Sequence, residues 1–188
     1  MQIELRSWQP ISSQNLYTSI RVYPDIKERG SFVPPEEFKD VKEKIEVWMR
    51  ARQIFIREKK SDDTDFQFEG KTETQVGIVI AKPKKLYNSV IVISKLELHP
   101  NHLAAFGRLN SKRKEEFIWD LKRDLIFAPA TFMLEQSGDN LKSIQFAKEI
   151  SFDELTEGRL IEAIDNVCRP LIWTVWVFIK RFGQPENS

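Results

Sequence analysis

The chain has 188 residues, 41% of them apolar and 30% charged, which is typical of a soluble globular protein. Its 29 basic and 28 acidic residues give a net charge of +1, which argues against charge-driven binding to nucleic acid duplexes. One cysteine excludes an internal disulfide and fits a reducing compartment.

Residues 1–35 differ from the rest because they combine four prolines with polar runs, which interrupts regular structure. The segment Tyr17–Tyr23 is rich in aromatic and β-branched residues and is a candidate strand. We therefore predict an N-terminal extension or arm over residues 1–35 and a single α+β domain over residues 36–183.

The first half of the predicted domain contains one helix and three strands. Proline and acidic residues at Pro34–Glu37 favour a helix start, and the polar Lys59–Thr64 run predicts a loop. Asp65–Glu69 alternates polar and apolar residues, which predicts a strand with one face in water. Gln75–Ala81 and Ser89–Leu98 follow, and the second begins apolar on both faces, as central strands do.

The second half begins with another helix. His99 and Pro100 mark its start, and Asn110–Ser111 interrupts or kinks it. Two strands are predicted at Thr131–Glu135 and Lys142–Ile150, joined by a hairpin turn.

The last helix is the clearest element. Ser151 and Thr156 are both candidate caps, Pro170 is expected to kink the helix, and Gly183 ends it. Its apolar stripe consists of Leu160, Ile164, Cys168, Leu171, Val175, Ile179 and Phe182.

These elements predict an α+β fold: a five-stranded, mainly antiparallel sheet with helices packed on it, in the order α-β-β-β-α-β-β-α. Short links between strands favour antiparallel pairing. The longest apolar stretch, Leu171 to Ile179, is much shorter than the ~20 residues of a membrane span, and no signal core is visible. We expect a cytoplasmic protein without a membrane segment.

The sequence offers little catalytic chemistry. Its seven glycines are too far apart for a dinucleotide fingerprint or a phosphate loop, so no cofactor is expected. Cys168 lies in the apolar stripe and is predicted to be structural rather than nucleophilic. His99 and His102 form a weak ligand set, so we expect no metal and no acid–base catalysis from them.

The last helix carries more apolar surface than its core stripe needs. Trp173, Trp176 and Val177 point away from the stripe and form the candidate interface. Three covers are possible: the N-terminal arm through Tyr17 to Tyr23, a second copy of the chain, or another protein. Tryptophan is enriched at interface anchors, which keeps the last two alternatives open.

The runs Ile45–Trp48, Asp65–Phe68, Val76–Pro83 and Val90–Ile93 resemble an uncharacterised, largely archaeal family known only as a domain of unknown function. A histidine near the start of the following helix, here His102, belongs to the same pattern. The order of elements also resembles the type III secretion chaperone-like fold. The resemblance covers about residues 37–182, supplies no catalytic residues and implies dimers and protein binding by fold analogy.

Taken together, the sequence predicts a non-enzymatic protein-interaction module, either a dimeric adaptor or a chaperone-like protein. The expected partner is a second copy, or else another protein. The alternatives are a nucleic-acid-associated regulator, supported only by scattered basic runs such as Lys82–Lys85, and an enzyme of unrecognised type.

Overall fold

The computed structural model describes residues 35–184, so the predicted arm, Tyr17–Tyr23 included, lies outside the described residues except for Pro35. The helices are α1 (Pro35–Ala51), α2 (Pro100–Gly107), α3 (Ser111–Leu125) and α4 (Glu157–Phe182). The strands are β1 (Phe55–Glu58), β2 (Thr64–Lys71), β3 (Gly77–Pro83), β4 (Ser89–Glu97), β5 (Thr131–Ser137) and β6 (Asn140–Ser151).

The six strands form one sheet in the order β1-β2-β3-β4-β6-β5, and every neighbouring pair is antiparallel. The α+β class and the antiparallel sheet are therefore confirmed, whereas the predicted count of five strands is wrong. The missing strand is β1, which has only four residues and pairs along β2 from Phe55 opposite Gly70 to Glu58 opposite Phe68. A short, largely exposed edge strand has no apolar alternation to reveal it.

The predicted second helix is divided into α2 and α3 at Asn110, so the observed order of elements is α-β-β-β-β-α-α-β-β-α. The Asn110 side chain accepts a hydrogen bond from the Arg113 backbone N–H at 2.9 Å and caps α3. A residue that caps a new helix competes with continuation of the preceding one, which explains the break at the predicted position.

The helices pack on one face of the sheet, which we call the helical face. Side chains of α1, α2, α3 and α4 join alternate residues of the strands in one apolar cluster, which includes Ile45, Met49, Phe106, Phe117, Leu121, Leu160, Val167, Phe178, Phe68, Ile80, Val92 and Phe146. Burial of this cluster is the main stabilising contribution that the described elements provide.

The opposite face, which we call the second face, has its own apolar cluster of Val79, Ala81, Ile91, Ile93 and Ala147. None of the four described helices contributes to this cluster. The sequence predicted that the polar side of β2 would be in water, and this is wrong. Gln67 and Glu69 are each only 1% exposed, because they share the second face with the buried apolar residues.

Candidate interaction surface

The helix that carries the predicted interface is held at both ends by caps. Thr156, the second of the two predicted caps, accepts from the Arg159 backbone N–H at 3.2 Å, whereas Ser151 is the last residue of β6. Gly183 ends α4 with a φ of 87°, a left-handed conformation that favours glycine. The 26 residues between the caps form one helix that continues across Pro170, and Thr174 Oγ1 donates to the Pro170 carbonyl at 2.7 Å.

The buried face of α4 differs from the predicted stripe in its second half. Leu160, Ile164, Cys168 and Leu171 are buried as predicted. Beyond Leu171 the buried positions are Thr174 and Phe178, while Val175, Ile179 and Phe182 are only partly buried. From Leu171, the steps to Val175 and Ile179 rotate about 40° and 80° to one side, whereas the buried Thr174 and Phe178 lie about 60° and 20° to the other side.

The outward face of α4 includes the three predicted interface residues. The indole of Trp176 is 53% exposed, while Trp173 and Val177 are partly buried and also touch the core cluster. The structure thus brings one fully outward tryptophan and two half-buried apolar side chains onto neighbouring turns. Together they form an apolar strip on the C-terminal half of the helix, here called the tryptophan strip.

Charged residues flank the tryptophan strip on both sides along the helix. Asp165 lies on the N-terminal side and pairs with Arg169 at 3.3 Å, and Lys180 and Arg181 lie in the last turn. Asp165 and Arg169 oppose each other in charge on the N-terminal side, whereas Lys180 and Arg181 are both basic, so positive charge is concentrated at the C-terminal end of the exposed face.

A second set of exposed apolar residues was not predicted from the sequence. On α3 and just beyond it, Trp119 is 64%, Ile126 69% and Phe127 88% exposed. The Lys122 ammonium lies 5.6 Å from the centre of the Trp119 ring. Trp119 lies among charged residues of α3. An isolated tryptophan in a charged helix was the feature of the sequence that could have revealed this exposed set.

The two histidines have structural contacts. His99 Nδ1 accepts a hydrogen bond from the Asn101 backbone N–H at 3.2 Å and caps α2. His102 is buried, lies near Phe178 and Phe182 with ring centroids at 5.9 and 6.4 Å, and forms a 3.0 Å hydrogen bond with the Gly183 carbonyl. Within residues 35–184, no three His, Cys, Asp or Glu side chains are grouped as metal ligands.

Cys168 is buried against the core, and this burial, helped by the nearby Asp165 charge, raises the pKa of its thiol to about 12. The thiol is therefore neutral near pH 7. Since its pKa is raised on folding, this preference stabilises the fold below the unfolded pKa of about 8.5 and is lost as pH rises towards 12.

The environment of Cys168 predicts slow chemistry with thiol reagents. In the folded protein at pH 8, labelling is expected to be about 100-fold slower than in urea, because the thiolate is rare and reagent access needs opening. A colorimetric thiol assay measures both rates. Equal rates would show that the thiol is exposed and that the helix register is wrong.

The basic run that supported a nucleic-acid alternative is not a continuous open patch. Lys82 is buried, and its ammonium pairs with Asp65 at 3.0 Å and donates to the Pro83 carbonyl at 3.1 Å. Lys84 and Lys85 are exposed. No helix within the described residues has the length and apolar character needed to cross a membrane.

The fold and this surface define an α+β protein in which helices cover one face of an antiparallel sheet and carry tryptophans on their outer side. A family model described as "Uncharacterized conserved protein (DUF2299)" matches residues 41–178, so the chain belongs to this family of uncharacterised proteins. The family resemblance predicted from the strand and helix patterns is confirmed. No curated protein matches the chain.

Solved structures with a similar fold include an uncharacterized protein from Methanothermobacter thermautotrophicus. It is 26% identical, with a TM-score of 0.72, and the match covers 76% of this chain and 99% of that one. The chaperone–effector complex HopA1–SchA is also similar, at 9% identity and a TM-score of 0.48, with 75% of this chain and 97% of that chain covered.

Proposed function

We propose that the protein is a non-enzymatic interaction module that works as a homodimer, joined through the tryptophan strip of α4. The observation that carries this proposal is the half-exposed indole of Trp176 beside Trp173 and Val177 on a long, well-capped helix. A tryptophan side chain buries roughly 150–250 Å² when covered, and tryptophan is among the strongest interface anchors.

The charges beside the strip support a second copy as the partner. When two α4 helices pack antiparallel about a two-fold axis at Trp173, Asp165 lies eight residues before the axis and Arg181 eight residues after it. Asp165 of each copy then faces Arg181 of the other copy, about 12 Å from the axis. The same arrangement places Arg169, four residues before the axis, opposite Val177 of the other copy, four residues after it.

The non-enzymatic part of the proposal rests on how the reactive side chains are used. The thiol of Cys168 is buried and neutral, and both histidines cap or close helices. In the described part of the chain, the cysteine and both histidines are thus occupied in packing and capping. A dimeric adaptor or a chaperone-like protein needs a binding surface such as the tryptophan strip, and it needs no catalytic residue.

Replacing Trp173 and Trp176 together by glutamine is expected to convert the dimer to a monomer without unfolding it, since the outward atoms are lost while the α4 core face is kept. Sedimentation velocity over a concentration series measures the oligomer, and circular dichroism checks the fold. Trp119→Gln, which changes a more exposed tryptophan on another helix, is the matched control and should leave the dimer intact. A wild-type monomer at every concentration would contradict the proposal.

A further inference from the structure

The outer side of α3 carries the three most exposed large apolar side chains among the described residues. Phe127, Ile126 and Trp119 are 88%, 69% and 64% exposed. Ile126 follows Trp119 by seven residues, so the two side chains lie about 20° apart around the helix axis, and Phe127 comes directly after them. Apolar side chains grouped in this way on a surface helix indicate a face that another molecule covers.

The charges beside Trp119 are arranged symmetrically about it. Glu115 and Glu116 lie four and three residues before Trp119, and Lys122 and Arg123 lie three and four residues after it. Residues at these spacings share one side of a helix, so all four charges lie within about 60° of Trp119. All four side chains are exposed. From its centre outwards, this face is therefore apolar, then acidic towards the N-terminus of α3 and basic towards its C-terminus.

We infer that a second copy of the chain packs on this face, with the two α3 helices antiparallel about a two-fold axis at Trp119. In this packing, positions equally far before and after Trp119 lie level with each other in the two copies. Arg123 of one copy then lies beside Glu116 of the other on one side of the helix pair, and Lys122 lies beside Glu115 on the other side. Symmetry repeats both pairs, so four pairs of opposite charge surround the two indoles.

The same packing covers the other apolar side chains of the face. Lys112 precedes Trp119 by seven residues, so the aliphatic stem of Lys112 lies against Ile126 of the other copy. Phe127 lies level with Ser111, the first residue of the other α3. A parallel arrangement would bring acidic side chains against acidic ones and basic side chains against basic ones. The order of the charges therefore selects the antiparallel arrangement.

This contact is weaker than a stable dimer interface. The 15 residues of α3 span about 22 Å, and two such helices bury less than the roughly 1,200 Å² of a standard interface. Charge pairs at the rim contribute little, and Arg123 already pairs with Asp120 at 3.1 Å and Asp124 at 3.5 Å. We therefore expect association through α3 at roughly 0.1–1 mM. It joins the proposed α4 dimers into larger assemblies, at concentrations above those at which these dimers form.

Sedimentation equilibrium of the full chain tests the inference. Between about 10 and 500 µM, the average mass of the wild-type protein is expected to rise about 1.5-fold above that of the dimer. Trp119→Gln should remove this rise and leave the dimer. Arg113→Glu is the matched control, because Arg113 is exposed on the same helix but lies about 120° away from Trp119. This variant should associate as the wild type does.

Exchanging the charges tests the orientation of the two helices. One variant combines Glu115→Lys with Glu116→Lys, and the other combines Lys122→Glu with Arg123→Glu. Each variant alone should remain a dimer at about 500 µM, since like charges meet in every pair. Mixed in equal amounts, the two variants should regain the rise in mass, because the acidic face of one meets the basic face of the other. Circular dichroism checks the fold, and Arg123→Glu alone replaces a double variant that does not fold.

Three results would overturn the inference. A wild-type mass that stays at the dimer value up to about 500 µM would leave the face to another protein or to a lipid surface. Association of Trp119→Gln as strong as that of the wild type would place the contact elsewhere, and a charge-exchanged mixture that does not associate would exclude the antiparallel packing.

The same measurement with Trp173→Gln and Trp176→Gln separates this inference from the proposed α4 dimer. In that background, association through α3 should appear as a change from monomer to dimer at high concentration. A wild-type monomer at about 10 µM that still associates at about 500 µM would contradict the α4 dimer and support the α3 contact.

Discussion

Replacing Gly70 by alanine is expected to destabilise the protein by about 2–3 kcal/mol, among the largest effects available to a single methyl group here. A Cβ at Gly70 would lie 2.5 Å from the Ile54 carbonyl oxygen, 2.9 Å from Met49 Cε and 3.2 Å from Ile78 Cγ1. The nearest obstacle is main chain, and the same carbonyl accepts from the Lys71 N–H at 2.9 Å. It can move only if the connection from α1 to β1 moves away from β2.

Gly107→Ala provides the matched control for this clash. The position is the last residue of α2, and the nearest atom to an added Cβ is the Asn140 side-chain oxygen at 3.9 Å. Alanine there should be neutral or stabilising by up to about 1 kcal/mol. Urea unfolding followed by circular dichroism gives both free energies of unfolding. Similar values for the two variants would contradict the packing of α1 and β1 against β2.

Phe178→Ala is expected to cost about 3–5 kcal/mol, because it removes a fully buried ring from the centre of the helical layer. Phe178 is 1% exposed and lies 5.1 Å from the Phe117 ring, 5.7 Å from Phe182 and 5.9 Å from His102. These contacts join α2, α3 and α4, so the cavity would affect three helices at once.

Phe127→Ala is the control, since this ring is 88% exposed and should cost less than about 0.5 kcal/mol. If Phe178→Ala does not fold, Phe178→Leu keeps the test measurable with an expected loss of about 1–1.5 kcal/mol. Chemical unfolding again gives the free energies. A Phe178 substitution as mild as the one at Phe127 would show that α4 does not pack on the sheet in this register.

Patterns of apolar residues predicted the centre of this fold correctly. The strand Ser89–Leu98 was recognised as central because Val90 to Ile93 is apolar on both faces, and it lies between β3 and β6. The turn before Asn140 and the cap at Thr156 also came from local chemistry, since turn and cap residues act within a few positions of themselves. Such features need no knowledge of distant partners.

Features that depend on tertiary contacts were not predicted from the sequence. The strand β1 exists because β2 offers it a partner, not because its own four residues favour a strand. Gln67 and Glu69 alternate with Phe66 and Phe68 as a half-exposed strand would, yet both are buried. Their burial depends on tertiary contacts, which alternation along a single strand does not reveal. Trp119 was overlooked because its exposure depends on how α3 packs, which periodicity alone does not define.

The dimer proposed for α4 is tested most directly by exchanging its charges. Asp165→Arg alone and Arg181→Glu alone each place like charges together twice in the two-fold pairing, so each variant is expected to be a monomer in sedimentation velocity. Mixed in equal amounts, they should form a heterodimer, because Arg at position 165 then faces Glu at position 181 and the native pair is retained on the other side. If both variants remain dimers alone, or if the mixture stays monomeric, α4 does not join two copies in this way.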